Sequence, residues 1–294
     1  MKRSRLTFYA PLKAPDHSHP SGDRRMAALL MQALQLADYD VVLASRFRSY
    51  DHVGDPLRQS RIHHLGQALA GRLLRHYVRT GDAPDFWFTY HLYHKAPDWI
   101  GPQVAQALQI PYIVAEASLA PKQVDGNWAS GHQAVAHALL RTDLVVHLNP
   151  DDETCVTPLL GARASSLNLA PFMDLGPLPD PKERNKLRRQ LTFEQGIDPG
   201  SFWLVCTAMM RPGDKFSSYR MLAHSLRSLL DLPWRLLVIG DGKCRDQVKS
   251  LFVDIDQRCC WLGQCEHETV LEILTASDLY LWPGINEAYG LALL

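Results

Sequence analysis

The final segment, WPGINEAYGLALL (282–294), holds the clearest candidate chemistry in this sequence. Pro283 and Gly284 predict a turn after an apolar run, and a helix is expected to start just after Glu287. Backbone N–H groups in the first turn of that helix would be unpaired and would favour an anion (Ala288, Tyr289 and Gly290). A carboxylate beside such a site suits a ligand with both hydroxyl and phosphate groups, although a glutamate that only caps an ordinary helix is the simpler alternative.

Two earlier strand-to-helix loops carry further candidate groups. Arg211 and Lys215 lie in CTAMMRPGDKFSSYRMLA (206–223), where two cations could neutralise a diphosphate, although a solvated basic turn would look the same. Gly240 and Gly242 lie in RLLVIGDGKCRDQVKSLF, but Arg245 replaces the third glycine of a dinucleotide-binding fingerprint. A tight turn is the simplest role for these two glycines.

In the first half of the chain, His91 and His94 follow the apolar run 86–90, and Glu116 follows the run 112–115. Ligands of doubly wound sheets bind at the carboxyl ends of the strands, so we expect these side chains near a cleft. A histidine there could position a substrate hydroxyl, and a surface histidine is an equal alternative. The histidine clusters come without a second Cys/His pair at zinc spacing, so no metal site is predicted.

These residues are positioned by short apolar runs that alternate with segments of helical period. The runs cover 6–10, 41–44, 86–90, 112–115 and 144–148, and then 202–208, 234–239, 259–262 and 279–282. Apolar strands separated by helices predict parallel sheets covered on both faces. Prolines are dense around 172–181 and predict a linker. We therefore expect an α/β protein with two Rossmann-like domains, 1–171 and 182–294, that face a cleft.

Composition excludes some classes of protein. The 31 lysines and arginines balance the 31 aspartates and glutamates, so the chain lacks the overall positive charge of many nucleic-acid binders. There is no apolar run of about 18 residues, and no membrane-spanning helix is expected. The six cysteines have no CxxC spacing, which predicts free thiols and a cytoplasmic protein. Basic stretches at 58–79 and 182–189 could dock on anionic lipid at the inner face of a membrane, or be solvated helix faces.

The second half resembles the donor domain of the retaining family-four glycosyltransferases of GT-B fold. The resemblance rests on WRLLVIGDGKCRDQVKSLF followed by RCCWLGQCEHETVLEILTASDLYLWPGINEAYGLALL, and it is strong over about residues 202–294. The first half is similar more loosely, in HPSGDRRMAALLMQAL and RTDLVVHLNPDD.

That resemblance implies a set of site residues. Glu287 matches the first acid of the family's Glu–seven residues–Glu motif and would hold donor sugar hydroxyls, while Arg211 and Lys215 would bind the diphosphate. The implied donor-binding set is completed by Ala288, Tyr289, Gly290, Leu262, Gly263, Gly240 and Gly242. The acceptor side is expected to include Gly22, His91, His94 and Glu116.

The resemblance implies sugar transfer from a UDP- or GDP-linked donor to a saccharide or lipid-linked acceptor hydroxyl, with retention and without a metal or other cofactor. The second acid of the motif would fall at position 295, one past Leu294, which predicts a truncated donor domain and casts doubt on activity. The alternatives are a non-catalytic remnant or nucleotide-binding protein, an epimerase of GT-B fold, and an NAD-dependent oxidoreductase.

Overall fold

The computed structural model describes residues 3–19, 21–287, 290 and 292–293. The chain divides into two compact units, Met1–Phe172 (unit 1) and Met173–Leu294 (unit 2). Each unit has its own parallel β-sheet, with strands that pair in the order β2-β1-β3-β4-β5-β6 in unit 1 and β10-β7-β8-β9 in unit 2.

The elements of unit 1 alternate between strand and helix along most of its length. Its strands are β1 (Arg5–Tyr9), β2 (Asp40–Leu43), β3 (Phe86–Leu92), β4 (Tyr112–Ala117), β5 (Leu144–His147) and β6 (Ser165–Asn168). Its helices are α1 (Gly22–Leu36), α2 (Pro56–Thr80), α3 (Gly101–Leu108), α4 (Ala129–Leu139) and α5 (Glu153–Val156), with 3-10 turns at Pro121–Gln123, Pro150–Asp152 and Thr157–Leu159.

The core of unit 1 lies between the central strands and helices α2, α3 and α4. Trp87, Tyr112 and Val145 come from the strands, and they pack with Val104 of α3 and Val135 of α4. Local signals fix the helix ends: Ser21 caps α1 by accepting from Arg24 N, and Asp55 caps α2. The helix caps therefore help to set where the loops at the strand ends begin.

Unit 2 is a sheet with helices on both faces. Its strands are β7 (Phe202–Thr207), β8 (Trp234–Ile239), β9 (Cys259–Gly263) and β10 (Leu279–Tyr280). Its helices are α6 (Arg184–Gln195), α7 (Asp214–Arg227), α8 (Arg245–Ser250) and α9 (His267–Ala276), with 3-10 turns at Pro181–Glu183 and Asp256–Arg258. Helices α7 and α8 pack on one face and helices α6 and α9 on the other.

Two features differ from the expectations drawn from the sequence. Strand β6 was not expected, because its four residues SSLN are all exposed and form no apolar run. At the other end, Gly290 has a left-handed φ of +62°, and residues 292–293 form a turn. No α-helix is therefore present after α9 in the part of the chain that the structure describes, and the expected helix directly after Glu287 is not seen there.

Candidate functional site

The order of strands in unit 2 creates a switch point between β7 and β10. The chain runs outward from β7 to β8 and β9, and then returns to the opposite side of β7 to form β10. Loops that leave the carboxyl ends of two such strands diverge to opposite faces and leave a crevice, which is where doubly wound sheets bind ligands. Lys215 follows β7 and Glu287 follows β10, so the switch point brings together these two predicted residues.

Lys215 and Glu287 form an ion pair. Lys215 Nζ donates a hydrogen bond to Glu287 Oε2, and the two side chains are only 14% and 23% exposed. The ammonium also lies 5.5 Å from the centre of the Trp282 ring. A cation and a carboxylate are thus held together at the carboxyl edge of the sheet, where partial burial strengthens their interaction.

The loop that carries Glu287 is anchored to α7. Ile285 N donates to Ser218 Oγ at 3.1 Å, and Asn286 Nδ2 donates to Asp214 Oδ1 at 3.2 Å. The ring of Trp282 packs edge-on against that of Tyr219, with centroids 4.9 Å apart. These contacts fix the loop on the first turns of the helix that bears Lys215, so the ion pair has support from both sides.

Gly240 and Gly242 allow the loops after β7 and β8 to pack backbone against backbone. A Cβ at Gly240 would lie 2.0 Å from Ala208 O, and one at Gly242 would lie 2.3 Å from Met210 O. Both residues also have positive φ angles, of 139° and 154°. This close approach requires glycine at both positions whether or not they contact a ligand.

The remaining residues predicted to bind the donor make fewer contacts in the structure or lie outside the residues that it describes. Arg211 is exposed, and its guanidinium has no ion pair with any residue that the structure describes. Leu262 is half-buried, and Gly263 O accepts from Gly240 N at 2.7 Å, which joins the loop after β8 to the last residue of β9. Ala288 and Tyr289 lie outside the described residues. The roles expected for these five positions and for Gly290 remain predictions.

Unit 1 has its own switch point, between β1 and β3. The chain moves from β1 outward to β2 and then crosses back to form β3 on the other side of β1. Helix α1 starts after β1 with Gly22 and Asp23, and His91 is the next-to-last residue of β3. The predicted residues Gly22 and His91 therefore lie at this crevice, and Asp23 lies there with them.

His91 is held between two carboxylates. Its Nδ1 lies 3.2 Å from Asp23 Oδ1 and 3.9 Å from Glu116 Oε1, so both carboxylates are close enough to interact with a charged imidazole. Burial lowers the pKa of His91, but the facing carboxylates of Asp23 and Glu116 outweigh it and leave that pKa raised. The histidine therefore favours its charged form more than an ordinary imidazole does.

Backbone strain marks the same place. His91 and Glu116 have left-handed φ angles of 62° and 56°, which are uncommon for residues with a side chain. They stand opposite each other on adjacent strands, between the Tyr90–Ala115 and Leu92–Ala117 pairs. Strain of this kind costs about 1–3 kcal/mol per residue and clusters at functional sites.

Asp23 is the residue of this cluster that sequence reasoning missed. An acid in the first turn of a helix is common for reasons of capping alone, so its type gave no distinguishing signal. His94, by contrast, does not join the cluster through any contact seen in the described part of unit 1. Its ring lies 5.9 Å from that of Trp128, and burial, helped by Lys95, lowers its pKa.

A pocket of about 530 Å³ opens at the same edge of the unit 1 sheet, beyond β2, β3 and β4. Trp99 forms part of its wall, and the ring of His63 packs against Trp99 with centroids 4.1 Å apart and the ring planes tilted by 32°. Ser60, Asp125 and Asn127 supply polar groups to the lining. An aromatic surface beside hydroxyl, carboxylate and amide groups can bind a sugar ring through its apolar face and its hydroxyls.

Residues 218–294 match the family profile described as Glycosyl transferases group 1. That segment includes Glu287 and begins three residues after Lys215. A search of curated protein sequences found no significant match. Within the described residues, no helix is both long enough and apolar enough to cross a membrane.

Solved structures of sugar-transferring enzymes share the fold. Sucrose-phosphate synthase from Thermosynechococcus elongatus has a TM-score of 0.67 at 14% identity, with 98% of this chain and 77% of that chain covered. The catalytic domain of starch synthase IV from Arabidopsis thaliana, bound to ADP and acarbose, has a TM-score of 0.60 at 12% identity, with 95% and 78% covered.

A structure of trehalose-6-phosphate from E. coli bound with UDP-2-fluoro glucose has a TM-score of 0.54 at 13% identity, with 95% and 78% covered. Identities this low establish the fold alone. The chain thus has the α/β fold of GT-B glycosyltransferases, and its residues 218–294 match the group 1 family.

Proposed function

We propose that this protein is a glycosyltransferase that moves a sugar from a nucleoside-diphosphate sugar to an acceptor hydroxyl with retention of anomeric configuration. The observation that carries the proposal is the Lys215–Glu287 pair at the switch point of unit 2. Glu287 lies within the segment that matches group 1 transferases, and Lys215 lies three residues before that segment. An ammonium and a carboxylate side by side offer one group to phosphate and the other to sugar hydroxyls, which are the two parts of such a donor.

In the proposed complex Lys215 exchanges part of its interaction with Glu287 for the donor diphosphate, and Glu287 accepts hydrogen bonds from sugar hydroxyls. Arg211 is free to approach the same diphosphate from its exposed loop. Negative charge grows on the diphosphate as it leaves, and positioned cations that meet this charge are commonly a large part of catalysis. The cationic side chains of Lys215 and Arg211 supply this stabilisation themselves, so we propose that no metal is required.

In the reaction the bond between the anomeric carbon and the diphosphate oxygen breaks, and a bond to the acceptor oxygen forms on the same face. The acceptor proton passes to a phosphate oxygen of the leaving diphosphate. We assign the positioning of the acceptor to unit 1, where His91 is held by Asp23 and Glu116 and where the Trp99 pocket suits a saccharide.

Calorimetric titration with UDP, GDP and ADP, and with their sugar conjugates, tests the donor part of the proposal. We expect one nucleotide series to bind to wild-type protein and to bind more weakly to the Lys215→Met and Glu287→Gln variants. Donor turnover is then followed by NMR in the presence of EDTA and a panel of saccharide acceptors, which also gives the anomeric configuration of the product.

The other outcomes identify the alternatives. Binding of NADH in place of these nucleotides would indicate an oxidoreductase, and isomerisation of the donor without an acceptor would indicate an epimerase. Nucleotide binding without any turnover would indicate a binding protein. The proposal is wrong if none of the nucleoside diphosphates binds.

A further inference from the structure

Helix α2 has an unusual distribution of charge. Its 25 residues include five arginines and three histidines but no aspartate or glutamate, in a chain whose formal net charge is zero. At 3.6 residues per turn, all five arginines fall within an arc of about 100° on the helix surface. They are Arg58, Arg61, Arg72, Arg75 and Arg79, and all are exposed. The opposite side, with Gly66 and Ala70, is buried.

Most of this charge is not neutralised by the residues of unit 1 that the structure describes. Arg58 lies 3.4 Å from the carboxylate of Asp51. None of the other four arginines forms a salt bridge with a residue in the described ranges. Like charges placed one turn apart repel each other, so such an array is costly unless something outside the helix compensates it.

Three of the arginines border a groove between α2 and the residues that directly follow the edge strand β2. The groove has a volume of about 670 Å³ and is lined by Arg72, Arg75, His76 and Arg79, with Ala44, Ser45, Leu69 and Leu73. The guanidinium groups thus surround a partly apolar floor. This is a suitable environment for a phosphate group with an attached hydrocarbon portion.

Exposed leucines lie among the arginines. Leu57 is 72% exposed and Leu65 is 56% exposed, and both fall within the same arc of the helix as the arginines. A free phosphate compound or a nucleic acid backbone offers no apolar group for exposed leucine side chains to contact. A membrane surface offers acyl chains to leucine and phosphate groups to arginine.

We propose that the outward face of α2 docks on an anionic phospholipid bilayer, with lipid phosphates in the groove lined by Arg72, Arg75 and Arg79. The helix is about 37 Å long at 1.5 Å per residue, so its arginines can contact several headgroups at once. The arginines and leucines of this face are not among the residues proposed for sugar transfer, although Ser60 and His63 of the same helix line the Trp99 pocket. The inference does not depend on that activity.

Sedimentation with vesicles tests the proposal. Full-length protein is mixed with vesicles of phosphatidylcholine alone or of phosphatidylcholine with phosphatidylglycerol, at low and at high salt. We expect binding only to the anionic vesicles, weakened by salt, since ions screen exposed charges. The triple variant Arg72→Glu, Arg75→Glu, Arg79→Glu is expected to lose roughly 100-fold in partitioning, at about 1 kcal/mol for each basic residue.

Two further variants separate this surface from simple net charge and from a soluble ligand. Lys182→Glu, Lys186→Glu, Arg189→Glu changes the net charge of the protein equally but lies in unit 2, and it is expected to keep wild-type binding. Leu65→Ser leaves the charge unchanged and is expected to weaken binding severalfold. Thermal unfolding and circular dichroism establish that each variant is folded.

The inference is overturned if the wild-type protein does not bind anionic vesicles. It is overturned as well if the triple variant in unit 2 loses as much vesicle binding as the triple variant in α2. It is also overturned if inorganic phosphate or glycerol phosphate stabilises the wild-type protein but not the α2 variant while vesicles do not bind. That result would assign the groove to a soluble phosphate compound.

Discussion

Asp23 Oδ1 lies 3.2 Å from His91 Nδ1, across the switch point of the unit 1 sheet. The corresponding position in unit 2 is occupied by the Lys215–Glu287 pair. Each sheet thus places an acid and a base together where its strand order reverses. Because loops diverge there, these partly buried charged groups remain accessible to a ligand.

Asp23→Asn is expected to lower the pKa of His91. Burial already lowers this pKa, and without the Asp23 carboxylate only Glu116 and more distant acids oppose it. Because the pKa is raised in the folded wild type, protonated His91 stabilises the fold fully below the unfolded value of about 6.5. That stability is lost as pH rises through the folded pKa.

NMR titration of the imidazole, together with unfolding free energies across the same pH range, measures this effect. Asp16→Asn is the matched control, because Asp16 pairs with Arg46 and is not among the groups that shift the pKa of His91. An unchanged His91 pKa in Asp23→Asn would show that the carboxylate does not act on the ring.

Lys215→Met and Glu287→Gln are each expected to weaken binding of the nucleoside-diphosphate sugar roughly 10- to 100-fold, because each removes a charge-assisted contact of about 1.5–3 kcal/mol. Calorimetry with the preferred nucleotide sugar and with the free nucleoside diphosphate measures the loss. Lys215→Met should weaken both ligands, whereas Glu287→Gln should mainly affect the sugar conjugate.

Asp254→Asn is the control for this pair, since it breaks the exposed Arg227–Asp254 ion pair of the same unit. It should leave both affinities unchanged. Equal losses in all three variants would mean that damage to unit 2, rather than a lost contact, explains the result.

Gly240→Ala is expected to destabilise unit 2 by about 3 kcal/mol, since the added Cβ would lie 2.0 Å from Ala208 O at a positive φ. Gly196→Ala is the matched comparison. Gly196 also has a positive φ, of 65°, but a Cβ there meets nothing within 4 Å, so only about 1 kcal/mol is expected. Urea unfolding of both variants gives the difference, and equal losses would exclude close packing as the reason for Gly240.

Asp278→Asn is expected to destabilise the protein at neutral pH by about 2 kcal/mol. The carboxylate accepts from Trp203 N at 2.7 Å and from Arg188 at 3.0 Å, and it also pairs with Arg184. Burial raises the pKa of Asp278, but these contacts outweigh it and leave the pKa below its usual value.

The stabilisation by Asp278 is present above the unfolded pKa of about 3.9 and is lost as pH falls through the lower folded value. Unfolding free energies measured from neutral to acidic pH should therefore converge for wild type and Asp278→Asn. Asp231→Asn, at an exposed position, should follow wild type throughout. A constant difference between wild type and Asp278→Asn at all pH values would contradict this account.

Much of the secondary structure follows from the sequence, because local patterns carry it. The run WRLLVI predicts β8 with both of its ends, and the apolar period after Gly22 predicts α1. Strand β6 could not be predicted this way, because SSLN forms a strand by pairing with β5 and does not bury its side chains.

The sequence by itself determined that strands and helices alternate, and it placed Glu287 after a strand. It placed Lys215 in the loop between a strand and a helix, whereas α7 already begins at Asp214 and includes Lys215. It could not determine the order of the strands, because apolar strands such as β7 and β8 have no local feature that selects their neighbours. Only the tertiary structure set β10 beside β7 and β3 beside β1. That pairing depends on how whole helices and strands pack together, and it is what brings Lys215 to Glu287 and Asp23 to His91.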